Sequence, residues 1–328
     1  SAVIASGSEA IYNYDPVGNR STVTAPNTPS SYTPNNLNQY SSVDSVSYSY
    51  DLNGNLTSDG TRTYSYDFEN RLISVIPAQA GIQSTYQYDP FGRRLSSSLR
   101  GVPPWRDDEA ISYLYDGDQI IEAFPCNLSS STCTLSQSFL SGPGIDEPLE
   151  LVRHPSTTTY YYHQDGLSST THITNSSGTL QESYTYSPYG IPEIRNSSNT
   201  VIPESSIGNP YLFTGREYDS ETGLYYYRSR YYSPKLGRFI SRDKWPGQLT
   251  DPSELVNKYA YVANNPVKFI DPFGFDREKP WWQKLEEGYY FGTGFGEEAL
   301  NWYVQRWSET GKWYYAVGGG FAALWTPE

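Results

Sequence analysis

Tyr86-Gln87-Tyr88-Asp89-Pro90-Phe91-Gly92-Arg93-Arg94-Leu95 reads as a strand, a turn and the start of a second strand. Tyr86 and Tyr88 stand two residues apart, so in extended chain both rings fall on one face. Asp89 can accept backbone N–H bonds as an Asx turn, Pro90 presets φ, and Gly92 suits the position that needs a positive φ. Arg94 and Leu95 then open the return strand.

The phrase recurs on both sides of this stretch. Upstream stand Tyr12-Asn13-Tyr14-Asp15-Pro16-Val17-Gly18-Asn19-Arg20, Tyr48-Ser49-Tyr50-Asp51-Leu52-Asn53-Gly54-Asn55-Leu56 and Tyr64-Ser65-Tyr66-Asp67-Phe68-Glu69-Asn70-Arg71-Leu72. Downstream are weaker copies, Tyr113-Leu114-Tyr115-Asp116-Gly117 and Tyr184-Thr185-Tyr186-Ser187-Pro188-Tyr189-Gly190. One Tyr-Asp pair alone is an ordinary strand-to-turn junction; its recurrence defines a repeat. A lone hairpin cannot bury its own apolar face, so the units must stack laterally into a sheet or solenoid. The expectation is an all-β chain, a β-hairpin solenoid or shell segment. Antiparallel hairpins should fill residues 10–270, with helix confined to short turns and the C-terminal tail. Tyr14, Tyr50, Tyr66 and Tyr88 should share one largely buried face.

Composition agrees with many short strands joined by turns. Of 328 residues, 37% are hydrophobic, but 16% are aromatic and 32 are Tyr. Aromatic side chains suit pleated surfaces, and the length allows a sizeable core. The net charge of −13 offers no basic stripe to neutralise phosphates, so a nucleic-acid partner is not expected. No stretch approaches the roughly 20 apolar residues of a membrane helix. The chain has no Met and no signal-peptide pattern, so we expect a longer natural chain beginning upstream of Ser1. Phosphate loops, dinucleotide fingerprints and Gly-x-Ser-x-Gly elbows do not occur, and no cofactor is expected.

The repeated Tyr-x-Tyr-Asp-x-x-Gly phrase resembles the YD (Rhs) repeat. The likeness continues through Tyr161-Tyr162-His163-Gln164-Asp165-Gly166 and Tyr211-Leu212-Phe213-Thr214-Gly215-Arg216-Glu217-Tyr218-Asp219. It then passes through Gly223-Leu224-Tyr225-Tyr226-Tyr227-Arg228-Ser229-Arg230-Tyr231-Tyr232 and Gly237-Arg238-Phe239-Ile240-Ser241-Arg242-Asp243, which are similar to the Rhs-associated core. The resemblance covers about residues 10–275. It implies a β-sheet shell around a hollow interior, with the core domain winding inward as an end plug. The rest of such a shell would come from upstream repeats or from a partner. On this reading residues 1–205 are a repeat segment, 206–275 the core domain, and 276–328 a plug or the start of a cargo.

The resemblance also implies chemistry. Pro266-Val267-Lys268-Phe269-Ile270-Asp271-Pro272-Phe273-Gly274-Phe275 is similar to the family's self-cleavage motif, Pro-x4-Asp-Pro-x-Gly-Leu, cut after its last residue. The cut here would fall between Phe275 and Asp276. A second Asp-Pro-x-Gly-Leu often precedes it; this chain has Asp243-Lys244-Trp245-Pro246-Gly247, which keeps the Asp and the Gly. Asp243 and Asp271 would then form an aspartic-protease-like pair, since two close carboxylates share one proton and split into acid and base. Arg238 is the expected charge-assisted partner of one of them. Pro266, Pro272 and Gly274 would shape the turn. Phe275 stands where the family has Leu, and Asp271-Pro272-Phe273-Gly274 also reads simply as an Asx-capped turn.

Cys126 and Cys133 are the only cysteines, in a Ser/Thr-rich stretch. They suit a local hairpin disulfide in an oxidising compartment, or two thiols. His154, His163 and His172 recur every nine residues, but no spacing completes a metal site, and none is expected. Residues 276–328 hold six of the eight Trp, and 297–307 has helical periodicity. Three functions fit: a secreted or cell-surface shell enclosing its own C-terminal cargo, delivered with a secretion-system or cell-surface partner; an adhesive surface protein; and an aromatic glycan-binding array.

Overall fold

The computed structural model describes residues 2–3, 9–25, 27–78, 83–100, 109–127, 132–142, 144–244 and 256–275. The segment 276–328, with its expected helix, lies outside them.

Each repeat is a hairpin, and the aspartate builds its tip. Asp89 Oδ1 accepts the N–H groups of Phe91 and Arg93, both at 2.9 Å. Asp15, Asp51, Asp67 and Asp165 accept the corresponding pairs. One carboxylate oxygen therefore satisfies two turn donors, which is why Asp sits there. The strand register slips at Tyr14, Tyr50, Tyr88 and Tyr115, just before the aspartate. A bulge at that point increases the local twist of these four hairpins.

In three repeats the second tyrosine links one hairpin to its predecessor. Tyr88 donates its hydroxyl to Leu72 C=O at 2.6 Å, Tyr115 to Arg94 C=O at 2.8 Å, and Tyr186 to Thr170 C=O at 2.7 Å. A phenol supplies apolar area and one directional donor, so Phe could not do both jobs. Tyr64 and Tyr86 are buried, and Tyr50, Tyr66 and Tyr88 are half-buried against the same core, whereas Tyr184 is buried in a second core and Tyr14 stands apart, its hydroxyl bonded to that of Tyr189. These rings are packed, not displayed as free platforms.

Stacked this way, the hairpins from Ser49–Tyr50 to Val201–Ile202 form one antiparallel sheet of sixteen strands, almost all in sequence order. It is an open sheet, which corrects the solenoid expectation: pairing runs strand to strand and no coil repeats. Two three-stranded sheets precede it, ending at Arg20–Thr24 and Val46–Ser47. Helix among the described residues amounts to the 3-10 turns Phe213–Gly215 and Val262–Asn264, with Val256 alone besides.

A separate four-stranded sheet, Glu217–Asp219, Leu224–Tyr227, Arg230–Ser233 and Arg238–Phe239, supplies the plug. Its two middle strands are buried at every position, on both faces. Tyr226, Tyr231, Leu224 and Ile240 pack on the hairpins around Leu56, Tyr64 and Tyr86. Tyr225, Tyr227, Tyr232 and Phe239 face the other way, onto Ile120, Leu151, Ile173 and Tyr184. The two halves of the long sheet thus cover opposite faces of the plug, so the sheet must curve around it. Burying a side chain such as Phe239 or Leu151 contributes about 1.5–3 kcal/mol. The phenols again find acceptors: Tyr225 donates to Gly190 C=O at 2.9 Å and Tyr232 to Tyr189 C=O at 2.8 Å. Arg94, 1% exposed, completes the attachment through Glu217 at 2.5 Å and Asp219 at 2.9 Å.

Candidate functional site

The tight turn between the plug's middle strands, Tyr227-Arg228-Ser229-Arg230, receives the Asp271–Phe275 segment. Arg228 donates to Pro272 C=O. Ser229 Oγ donates to Phe273 C=O at 2.7 Å and reaches Gly274 C=O at 2.8 Å. Arg230 Nε donates to Gly274 C=O. Three consecutive carbonyls are therefore held by three consecutive side chains. Gly274 has φ +73°, and a Cβ there would stand 2.4 Å from Tyr227 O, so the close approach requires glycine.

Inside this turn Asp271 Oδ1 accepts the N–H of Gly274 at 2.8 Å and of Phe275 at 3.0 Å. The Asx-turn reading and the paired-carboxylate reading thus meet in one residue. Asp271 Oδ2 lies 3.7 Å from Arg230 Nη2, and Asp243 Oδ2 lies 3.0 Å from the same nitrogen. Chain distance does not separate the two: Asp243 donates its N–H to Lys258 C=O, and Arg230 Nη1 donates to that carbonyl at 3.1 Å. Burial pushes the Asp271 carboxyl up to about 7, and Asp243 adds to the rise, against Arg230 and the Phe275 and Gly274 N–H groups. Burial also lowers the Arg230 guanidinium, and the two carboxylates pull it back.

Arg238 is elsewhere, which corrects its expected role. Its Nη1 donates to Asn38 C=O and its Nη2 to Asn19, both at 2.8 Å, over the Tyr40 ring at 3.8 Å. It ties the first repeat tips to the plug. Arg230 is the cation on the carboxylates. The Tyr-rich phrase contained it, but nothing in linear spacing marks Arg230 over Arg228 or Arg238. Pro266 and Pro272 are buried, and Asp276, the residue after Phe275, lies outside the described residues.

A cavity of about 330 Å³ opens beside the turn, lined by residues that include Phe91, Arg93, Arg228, Lys244, Phe273 and Phe275. Cys126 and Cys133 face each other across paired strands, Cα atoms 4.0 Å apart and sulfurs bonded. His163 is the cross-strand neighbour of His172. Among the described residues no three metal-ligating side chains converge, and no helix is long and apolar enough to cross a membrane.

The chain matches the Teneurin YD-shell family over residues 2–267 and belongs to it. It is similar to the tRNA nuclease WapA of Bacillus subtilis, 35% identical over 268 residues, covering 80% of this chain and 11% of that protein. It is also similar to the toxin protein Tse5 of Pseudomonas aeruginosa, 28% identical, covering 69% of this chain and 18% of that one. The fold resembles that of the TcdB2–TccC3 complex with a TM-score of 0.60 at 21% identity, over 81% of this chain and 14% of that one. The chain thus spans less than a fifth of these curated relatives.

Proposed function

We propose that this chain is the closing part of a secreted or cell-surface shell that encloses a C-terminal toxin, and that it cuts itself after Phe275. Residues 1–205 would contribute repeats to a wall continued by upstream chain, 206–275 the plug and cleavage site, and 276–328 the start of the cargo. That Tse5 is a toxin protein and WapA a tRNA nuclease, together with the shell fold, supports the first half of this reading. One observation carries the second: a single guanidinium nitrogen meets both Asp243 and Asp271, beneath the turn that carries the bond to be cut.

Hydrolysis there needs one carboxylate to take a proton from water as its oxygen bonds to the Phe275 carbonyl carbon. The other carboxyl gives its proton to the Asp276 nitrogen as the C–N bond breaks. The products are a Phe275 carboxylate and an Asp276 amine. Holding both reactants in one folded turn supplies the effective concentration a single-turnover reaction needs.

The test is a denaturing gel with intact-mass measurement on the full chain, because a shell can retain the cut piece. Wild type should give two fragments with the boundary after Phe275, and Asp243→Asn or Asp271→Asn one uncut chain. A wild type that stays whole overturns the cleavage reading and favours a non-cleaving surface protein.

A further inference from the structure

Arg20 and Arg94 hold the same place in their repeats, two residues after the tip glycines Gly18 and Gly92. Each donates its backbone N–H to a phenol, Tyr40 at 3.1 Å and Tyr226 at 3.2 Å, and each guanidinium lies over tyrosine rings. There the likeness ends. Arg94 lies against the plug's first strand and meets Glu217 and Asp219. Arg20 lies against Gly237, just before the plug's last strand, where an added Cβ would collide with its Nη2. None of the three guanidinium nitrogens of Arg20 finds a hydrogen-bond partner among the described residues. By contrast, buried Arg216 and Arg230 meet carboxylates, and buried Arg238 donates to two amide oxygens.

Stacking on Tyr189 at 3.8 Å and Tyr12 at 5.0 Å recovers only part of the hydration that a buried cation loses. The groups facing Arg20 are phenols, Tyr14, Tyr32, Tyr189 and Tyr232. The Tyr14 and Tyr189 hydroxyls bond to each other, whereas the Tyr32 hydroxyl has no partner. Burial raises the Tyr32 phenol to about 12 and the Tyr189 and Tyr232 phenols above their ordinary value, against the pull of Arg20. None of these three therefore supplies a phenolate near neutral pH. What remains is a buried cation beside an unmet O–H donor, with no acid of its own.

We propose that the Arg20 guanidinium and the Tyr32 hydroxyl hold a halide, chloride in ordinary salt, where the first hairpin meets the plug. A carboxylate carried on another segment does not reach a side chain 2% exposed, but a monatomic ion enclosed during folding does. The ion neutralises Arg20 and locks the Glu9–Tyr14 and Arg20–Thr24 hairpin against Tyr189 and Gly237. This site stands whether or not the chain cuts itself.

The probe is bromide, which substitutes for chloride and scatters X-rays anomalously. Crystals of the full chain grown in sodium bromide should show an anomalous peak within hydrogen-bond distance of Arg20 and the Tyr32 hydroxyl. In solution, thermal midpoints are followed by circular dichroism as sodium bromide replaces sodium gluconate at constant ionic strength. Each tenfold rise in bromide above half-saturation should lift the wild-type midpoint by about 2–4 °C. Arg195→Met, which breaks a half-exposed ion pair, should rise with wild type, and Arg20→Met should lose the rise. Tyr32→Phe keeps the ring but loses one donor, and should need about tenfold more bromide for the same midpoint.

No peak at Arg20 overturns the assignment, whatever the midpoints do, and leaves water as the partner of these donors. A peak with a flat wild-type midpoint marks an adventitious ion only and overturns it too. So does a bromide response that Arg20→Met keeps or Arg195→Met loses. Where Arg20→Met fails to fold, Tyr32→Phe decides: a bromide requirement unchanged from wild type overturns the site.

Discussion

Asp89 and Asp271 head the same tetrapeptide, Asp-Pro-Phe-Gly, and each accepts two turn N–H groups on one oxygen, Asp89 from Phe91 and Arg93 and Asp271 from Gly274 and Phe275. Their electrostatics are opposite. Asp89 lies at a hairpin tip beside Arg93 at 2.6 Å; burial pulls its carboxyl up, but Arg93 and the turn N–H groups outweigh it and hold it below the usual range. Asp271 is sealed between the plug turn and Arg230, and burial wins, at about 7.

Opposite shifts predict opposite pH responses. Asp89 contributes stability above its unfolded pKa that disappears as pH falls through the lower folded value. Asp89→Asn should therefore cost about 1 kcal/mol near neutral pH and less in acid, with self-cleavage unaffected. Asp271 keeps its proton in the folded chain after the unfolded chain has released it, so wild type loses stability between about pH 4 and 7. Asp271→Asn removes that loss and should gain on wild type across the same window. Thermal midpoints of both variants against pH check the signs; parallel curves would contradict the argument.

The two glycines of the repeated tetrapeptide separate backbone strain from crowding. Gly92 has φ +84°, and a Cβ added there would meet nothing within 4 Å, so Gly92→Ala should cost only the left-handed backbone, about 1–2 kcal/mol. Gly274→Ala adds a contact at 2.4 Å to Tyr227 O and 2.7 Å to Ser229 Oγ. It should cost more in urea unfolding and abolish fragment formation, because the turn can no longer seat on Arg228, Ser229 and Arg230.

Arg94 predicts a large loss. Its replacement by Met leaves Glu217 and Asp219 buried without their cation, which should cost about 3–5 kcal/mol. Arg195→Met breaks a half-exposed pair with Glu193 and should cost under about 1 kcal/mol. Equal urea midpoints for the two variants would mean that Arg94 does not anchor the plug.

Much of the hairpin geometry was legible in linear sequence because its bonds are short-range. Asp89 reaches only to Phe91 and Arg93, and Tyr86 and Tyr88 share a face through strand periodicity alone. The link from Tyr88 to Leu72 lies one hairpin away and was not legible, since uneven intervals hide which carbonyl the phenol meets. Arg238 and Arg230 show the limit most clearly. Each stands just before an aromatic residue, Tyr231 or Phe239, and only packing sends Arg238 to Asn19 and Asn38 and Arg230 to Asp243 and Asp271.

The sequence by itself determined that this chain folds as stacked Tyr-Asp hairpins, because strand period, Asx turns and positive-φ glycines act within a few residues. Asp243 and Asp271 as a pair came from the resemblance to the Rhs core, since the residues themselves read Asp271 equally as a turn cap. Only the tertiary structure decided that the hairpins form one open sheet curved around a four-stranded plug, because curvature depends on aromatic packing on both plug faces. It alone also decided which arginine meets the carboxylates and which of two turns with the same tetrapeptide is sealed more deeply. Those outcomes depend on how deeply each turn is sealed from water, which the four residues of the turn do not encode.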